Sequence, residues 1–428
     1  MRARGANATM DVAFEATYGV PPASGFFRTP FVSANLGEEQ GLEASDVLGF
    51  GRDPQQPGRG AVDNAGDLVV PICARNIGLW LKMMFGAPTT ATGVAATGGW
   101  TFSANPANNA TISAGGQDFT FVTGTPTANQ IKIGSTLAET VANAVRALNA
   151  SAVAGVAAAT YRATSRANAI RIVHDTLGTS GNSFALAAGS SPASNATVSG
   201  STLSGGAASG GYRHTFVGGA QTLPSASVQV GNPEVPNFGM NWGAKANTLG
   251  VSLARSGNLN ATVGLIAQGE TTATTDQAGT PTELPLLKFS HFAGAVLRDG
   301  VPIADLISGQ LNVSNGAEGV PAIRDDGRIS GVDEGMLAVT GQVGIRYGTR
   351  ELQVLAEDGT ATELEYAWTI PNTALALRVI VHTVYLPRPK RAIPGPMAIV
   401  ADYSWLGGED PVLHKTVTVE LTNDVASY

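Results

Sequence analysis

The sequence predicts a mainly β protein built from two similar β units, each with a short flanking helix, and a small α+β unit inserted into the first. Three observations predict this class. The chain has 53 glycines among 428 residues, short segments alternate apolar and polar residues, and helical patterns are few. This length usually holds two or three domains, and a hydrophobic content of 43% lets each domain bury a core.

Two short helices are predicted in similar contexts. One lies between Asn76, a capping residue, and Gly86, a stop residue. The other lies between Thr349 and Gly359, which have the same roles and the same spacing. Because the two contexts match, they suggest a repeated unit.

The strands around these helices carry a weak internal repeat. At an offset of 273 residues, Val70 and Ile72 coincide with Val343 and Ile345. Further along the chain the matching offset falls to 151, and the difference of 122 is about the length of the predicted insert. The order of these landmarks favours a duplication. A chance match between glycine- and valine-rich strands is the alternative.

The predicted insert, 92–211, has a different composition from the rest of the chain. It is almost uncharged and rich in Ala, Gly, Ser, Thr and Asn. Its helix, 136–149, is the longest predicted, because Thr136 and Glu139 have capping-box spacing and an apolar stripe follows them. Short strands on both sides of the helix complete a compact α+β unit.

Changes in composition predict the domain boundaries. Flexible edges are predicted at 89–93 and 205–211, and a polar linker is predicted at 270–281. The predicted organisation is a discontinuous first β domain (1–91 with 212–270), the inserted domain (92–211), a linker (271–285) and a second β domain (286–428).

Charge is sparse and slightly acidic. Charged residues make up 14% of the chain, and the formal net charge is −7. So little charge on a large protein favours a surface that other copies cover. An acidic chain does not hold the DNA backbone, which requires Lys and Arg, and the one compact basic cluster (Arg388, Lys390 and Arg391) is typical of a solvated loop.

No pattern in the sequence points to catalysis. The five histidines occur singly, Cys73 has no partner cysteine, and phosphate-loop and dinucleotide motifs are absent. We therefore predict no enzymatic activity, no cofactor and no metal. His214, in a predicted strand, is expected to be structural.

Two acidic loops precede the matched strands of the two β units. Their carboxylates could serve acid–base or calcium chemistry, although neither loop has EF-hand spacing. They could also be solvated hairpins, or charged contact surfaces between subunits. The last interpretation assigns assembly contacts to Glu43, Asp46, Arg52, Asp53, Arg324, Asp325, Asp326 and Arg328.

Several segments resemble a known family. The opening 5–22, the motifs at 46–54 and 66–71, and the ending 419–428 resemble the tail tube proteins, or major tail proteins, of bacteriophages with long non-contractile tails, the siphophages. The 92–211 segment resembles a decoration module found as an insert in phage structural proteins. The resemblance implies two tandem tail-tube-type β-sandwich or half-barrel domains.

The resemblance also implies a function as a structural virion protein. Subunits would form rings around a β-barrel lumen, and the rings would stack into a helical tube that conducts DNA during ejection. The implied partners are other copies, the tape-measure protein, the tail terminator and distal tail proteins. DNA would pass without specific binding, no membrane would take part, and the tail would assemble in the bacterial host cytoplasm.

Two questions stay open at this stage. If the duplication is real, three chains form a ring with pseudo-sixfold symmetry; if it is not, six chains form the ring. The alternative function is a Gly/Thr-rich adhesin or surface-layer protein whose inserted domain binds cell-surface glycans. The N-terminus is basic but lacks the apolar segment of a signal peptide, which we expect a secreted adhesin or surface-layer protein to have.

Overall fold

A computed structural model describes residues 2–49, 51–164, 166, 168–371, 373–390, 395 and 398–428. Arg391 of the basic cluster and Phe50 of the 46–54 motif lie outside the described residues. Strands account for 48% of the structure and helices for 10%, which confirms the predicted mainly β class.

The elements follow one another in four groups along the chain. Before the insert lie β1 (Thr9–Phe14), β2 (Phe27–Arg28), β3 (Ser33–Ala34), β4 (Glu38–Glu43), β5 (Gly58–Pro71) and α1 (Ile77–Phe85). The insert and its two connecting strands comprise β6 (Thr89–Phe102), β7 (Thr111–Ala114), β8 (Gln117–Val122), β9 (Gln130–Lys132), α2 (Leu137–Asn149), β10 (Ala159–Ala163), β11 (Ala169–Leu177), β12 (Leu186–Ala188), β13 (Ala196–Val198) and β14 (Ala207–Val217). The first half continues with β15 (Ala226–Asn232), β16 (Asn237–Leu253), β17 (Asn260–Ile266), β18 (Gly269–Ala273) and β19 (Thr282–Glu283). The second half contains β20 (Gly294–Arg298), β21 (Val301–Pro302), β22 (Leu306–Ser314), β23 (Glu318–Val320), β24 (Gly331–Asp333), β25 (Ala338–Arg346), α3 (Glu351–Asp358), β26 (Thr362–Thr369), β27 (Ala376–Tyr385), β28 (Val400–Gly408) and β29 (Val417–Asn423).

One antiparallel sheet runs through both halves of the chain. Its strands pair in the order β5, β17, β16, β22, β25 and β28. The halves meet where β16 pairs with β22, from Thr248 opposite Ser314 to Leu253 opposite Gly309. A second junction pairs β14 with the C-terminal strand β29. Backbone hydrogen bonds in both strand pairs therefore join the halves.

The buried face of this sheet contributes to one hydrophobic core shared by both halves. Leu68 and Val343 are buried in it, as are Trp80 of α1 and Leu352 of α3. Because one core contains side chains from both halves, burial of apolar surface couples their stabilities.

The two short helices occupy the predicted positions. Helix α1 lies between Asn76 and Gly86, as predicted. Helix α3 ends at Gly359, whose φ of 66° is left-handed, but its N-cap is Arg350 instead of Thr349. In both halves the helix follows a long strand of the shared sheet, β5 or β25.

The insert has its own core around α2. Thr136 caps this helix as predicted, because its hydroxyl accepts a hydrogen bond from the Glu139 N–H at 3.2 Å. The Glu139 carboxylate accepts a hydrogen bond from the Ser135 N–H at 2.7 Å. In a capping box it would accept from the N–H of the N-cap residue, Thr136, which is one residue later. Val141 and Val145 face a cluster of buried aromatic and aliphatic residues that is separate from the main core.

The predicted flexible edges of the insert are strands, which corrects the sequence interpretation. β6 and β14 pair antiparallel, with Thr92 opposite Tyr212, so a two-stranded ribbon connects the insert to the first half. The predicted linker likewise begins within β18, which pairs with β16. Sheet hydrogen bonds use the backbone, so small and polar side chains do not prevent strand formation where a partner is available.

The insert, although it leaves the first half, packs against the second. The Ala163 N–H donates to the Gly300 carbonyl at 3.0 Å, and Val301 packs against the insert core. Arg162 donates to Glu365 at 2.8 Å; only 2% of the Glu365 side chain is exposed, and Arg378 binds its other oxygen at 2.7 Å. Burial raises the pKa of the Glu365 carboxyl, and the charge and hydrogen bond of Arg162 oppose that shift.

The C-terminal residue packs onto α1 in the first half. The Tyr428 ring lies over Gly78, where an added Cβ would stand 2.3 Å from the ring. Its hydroxyl donates to the Arg75 carbonyl at 2.8 Å, and Lys82 donates to the main-chain oxygen of Tyr428 at 2.6 Å. The chain end therefore closes the core under the helix.

His214 of β14 is structural, as predicted, and lies beside this C-terminal residue. It is fully buried, and its ring meets that of Tyr428 edge-on with centroids 5.0 Å apart. In the neutral ring, Nε2 donates to the Val425 carbonyl at 2.8 Å and Nδ1 accepts from the Thr90 hydroxyl at 2.8 Å. Burial lowers the pKa of His214 below its ordinary value of 6.5.

Gly78→Ala should destabilise the protein even though alanine favours helices, because its methyl group would displace the Tyr428 ring. We expect a loss of about 1–3 kcal/mol in the free energy of unfolding, measured by chemical denaturation. Gly331→Ala, at a site with no atom within 4 Å of the added Cβ, is the control. A Gly78→Ala protein as stable as the control would contradict the packing.

His214→Gln should flatten the dependence of stability on acidity. Below pH 6.5 the unfolded chain binds a proton that buried His214 resists, so wild-type stability falls as pH decreases from 6.5 towards the lowered pKa. The variant lacks this contribution, whereas a variant of the exposed His414 retains it. Urea denaturation between pH 7.5 and 5.5 measures the difference, and equal slopes for wild type and His214→Gln would refute it.

Candidate functional site

The exposed face of the six-stranded sheet is polar but carries little charge. Across the junction of the halves, Thr262, Gly250, Asn312 and Thr340 lie side by side on successive strands. This face, called the polar face below, presents mainly hydroxyl and amide groups, from Thr248, Ser252, Thr262, Ser308, Gln310, Asn312, Thr340, Gln342 and Ser404. The last strand, β28, adds two exposed apolar side chains, Val400 and Leu406. Two open depressions, of about 650 and 670 Å³, lie along it.

Two glycines let carboxylates lie flat on the polar face. A Cβ on Gly264 would stand 2.3 Å from the Thr248 hydroxyl and 3.0 Å from the Asp67 carboxylate. A Cβ on Gly344 would meet a hydroxyl and the Asp402 carboxylate at 2.5 and 2.7 Å. Asp67 and Asp402 therefore lie on the two outermost strands, β5 and β28, at opposite edges of the polar face, so the negative charge of the face is weak and spread out.

The four predicted contact residues of the first loop are exposed. Glu43 ends β4, and Asp46, Arg52 and Asp53 lie in the 44–57 loop that joins β4 to β5. All four therefore lie on or directly beside one exposed loop.

The four predicted contact residues of the second loop are arranged differently. Arg324 forms two hydrogen bonds with Asp326, both at 2.9 Å, and this guanidinium holds the pKa of the Asp326 carboxyl well below its usual range. Asp325 is exposed. Arg328 binds Glu38 of the first half at 2.6 Å and 3.1 Å.

The second loop thus lies against the first half of the same chain. Beside the Arg328–Glu38 pair, the Val62 N–H donates to the Gly327 carbonyl at 3.0 Å. Lys245 of β16 binds Glu334 at 2.7 Å. The sequence held no signal for these two ion pairs, because the partners of Glu38 and Glu334 are more than eighty residues distant.

Within the described residues, no group of three or more His, Cys, Asp or Glu side chains is arranged to hold a metal ion. The one cysteine, Cys73, is buried and free. In the part of the chain that the structure describes, every helix is too short or too polar to cross a membrane. The surface features that remain for description are the polar face, the edges of its sheet and the two loops.

Comparison with known proteins gives one match. A family model described as phage tail tube protein matches residues 5–407, nearly the whole chain. No curated protein matches the chain.

Proposed function

Because the chain belongs to the phage tail tube protein family, we propose that it forms rings that stack into the tail tube of a siphophage, the conduit for DNA ejection. The family indicates a structural virion protein of the tail with a non-enzymatic role. The observation that carries the finer proposal is the six-stranded sheet, which crosses both halves and has one polar face.

We propose that the polar face lines the lumen. DNA carries about one negative charge per 1.7 Å of its axis, so a lining of many Lys and Arg side chains would retain it. The hydroxyl and amide groups of the polar face, with Asp67 and Asp402 spread across it, offer no such hold. Apart from the cation Arg346 at the end of β25, the lining is neutral to weakly acidic and lets DNA slide.

The number of chains per ring is proposed to be three. Each chain would supply two tube domains, 1–91 with 212–270 and 286–428, joined by the linker 271–285. The β16–β22 junction supports a three-chain ring, because a closed ring of six tube domains needs a contact of this kind between each pair of neighbouring domains. Joining subunits in this way pairs exposed strand edges and removes their tendency to aggregate.

The eight loop residues are proposed as assembly contacts. Within one chain, the loop that holds Arg324 and Arg328 lies against the neighbouring half. The 44–57 loop has the corresponding place in the first half, and its exposed residues have room for a neighbouring chain.

The inserted domain, 92–211, is proposed to decorate the outside of the tube. Neither depression of the polar face is lined by an insert residue. The tape-measure protein would occupy the lumen during assembly in the host cytoplasm, and the terminator and distal tail proteins would bind the two ends of the tube.

Electron microscopy of the purified protein should show tubes or stacked rings. Rotational averaging should give threefold symmetry with three peripheral insert densities per ring, because each chain supplies two tube domains and one insert. Six equivalent insert densities per ring would show that six chains, and not three, form the ring. A monodisperse monomer at high concentration would contradict the tube function.

Site-specific heavy-atom labels should separate the lumen from the exterior. Asn312→Cys lies on the polar face and Thr125→Cys on the exposed surface of the insert, while native Cys73 is buried and should not react. In averaged images of labelled tubes, we expect the first label at the smallest radius and the second at the largest. An Asn312→Cys label on the outer wall would overturn the assignment of the lumen.

A further inference from the structure

A second antiparallel sheet, called the second sheet below, also crosses both halves, and the insert lies at both of its edges. Its strands pair in the order β21, β20, β26, β27, β29, β14 and β6. At one edge, β6 continues into the insert and pairs there with β11. At the other edge, β20 and β21 form a hairpin, and in the described part of the chain β21 pairs with no strand other than β20. This hairpin therefore leaves a sheet edge without a strand partner.

The hairpin has a tight two-residue turn. Arg298 pairs with Val301, and the turn residues between them, Asp299 and Gly300, have φ values of 50° and 76°. Positive φ at both positions is the geometry of a type I′ turn, for which Asp-Gly is a preferred sequence. After the turn, Pro302 has no N–H to donate, which weakens this edge as a pairing site. The Gly300 carbonyl and the apolar side chain of Val301 still need to be covered.

The edge strand of the insert lies against this hairpin. Among the described strands, β10 pairs only with β11, so its other side needs different partners. On that side, the Asn149 side chain bonds the backbone oxygen and N–H of Tyr161 at 2.9 and 3.0 Å. The Ala163 N–H donates to the Gly300 carbonyl, and Val301 packs against the insert core. The two edges therefore cover each other.

The fit is closest at Gly300. An added Cβ there would stand 2.9 Å from the Tyr161 carbonyl oxygen, 2.9 Å from a Val145 methyl carbon and 3.0 Å from the Asn149 amide nitrogen. By contrast, an open cleft of about 380 Å³ lies between α2 and residues 301–304. The contacts at Gly300 and the buried ion pair of Arg162 therefore hold the insert in place, and dense packing along α2 does not.

We infer that the insert has a role beyond decoration, which is to cover the hairpin edge of the second sheet so that this edge does not pair with strands of other chains. An uncovered edge presents unpaired backbone groups, which are a template for association between chains. An undocked insert would also expose the outer side of β10, which is then free to bind the hairpin of a second copy. Docking within one chain prevents both kinds of association.

Gly300→Asn tests this role because asparagine tolerates positive φ, whereas its side chain would displace the insert. We expect amide exchange in segments 159–163 and 294–303, measured by mass spectrometry, to become about tenfold faster or more. Electron microscopy should show irregular aggregates or tubes joined side to side. Gly279→Asn is the matched control, because Gly279 has a φ of 67° and no atom lies within 4 Å of its added Cβ.

A substitution on the insert tests the same contact from the opposite side. Arg162→Glu places a second carboxylate against the buried Glu365, so we expect the insert to undock and the chains to associate as in Gly300→Asn. Arg162→Lys keeps a cation at this position and should behave like the wild type. Unchanged amide exchange in both Gly300→Asn and Arg162→Glu would overturn the inference, because neither contact would then hold the insert.

A rescue variant separates loss of edge cover from a general loss of stability. Val301→Lys, added to Gly300→Asn, should restore dispersed particles while amide exchange stays fast, because a lysine on an edge opposes strand pairing. A protein that is merely unfolded would gain nothing from the lysine. Fast exchange without association in Gly300→Asn, or association that Val301→Lys leaves unchanged, overturns the edge-covering role.

Discussion

The hydrogen bonding between β16 of the first half and β22 of the second half is the constraint on which the rest of the architecture depends. It turns two β units into one sheet with a continuous buried face and a continuous polar face. The shared core and the second junction, β14 with β29, follow from the same arrangement. Each junction removes an exposed strand edge, which is otherwise a site of uncontrolled association.

The sparse charge of the chain is distributed by location. Buried or half-buried ion pairs such as Arg162–Glu365 and Arg328–Glu38 hold the insert and the second loop against neighbouring parts of the fold. The polar face keeps only scattered carboxylates, and other exposed acids lie in the 44–57 loop, in the insert and at both ends of α3. The net charge of −7 is thus the sum of the charges of regions that have separate physical roles.

Local signals in the sequence predicted the helices well. Thr136 and Glu139, and the stop glycines Gly86 and Gly359, determine helix ends by contacts within a few residues. The same approach misread the β6–β14 ribbon as flexible edges. Its composition is typical of loops, and its pairing joins residues more than a hundred positions apart, which no local pattern records. The pairing of Arg328 with Glu38 escaped prediction for the same reason.

The sequence by itself determined the class of the protein, because alternation, glycine content and capping act over short distances. It also indicated the tail tube family, through motifs near both ends of the chain. Only the tertiary structure decided that the halves share one sheet, that the insert packs on the second half, and which strand residues form the polar face. These outcomes depend on which strands, distant in sequence, pair with each other. Because the pairing uses backbone hydrogen bonds, side-chain composition does little to specify the partner.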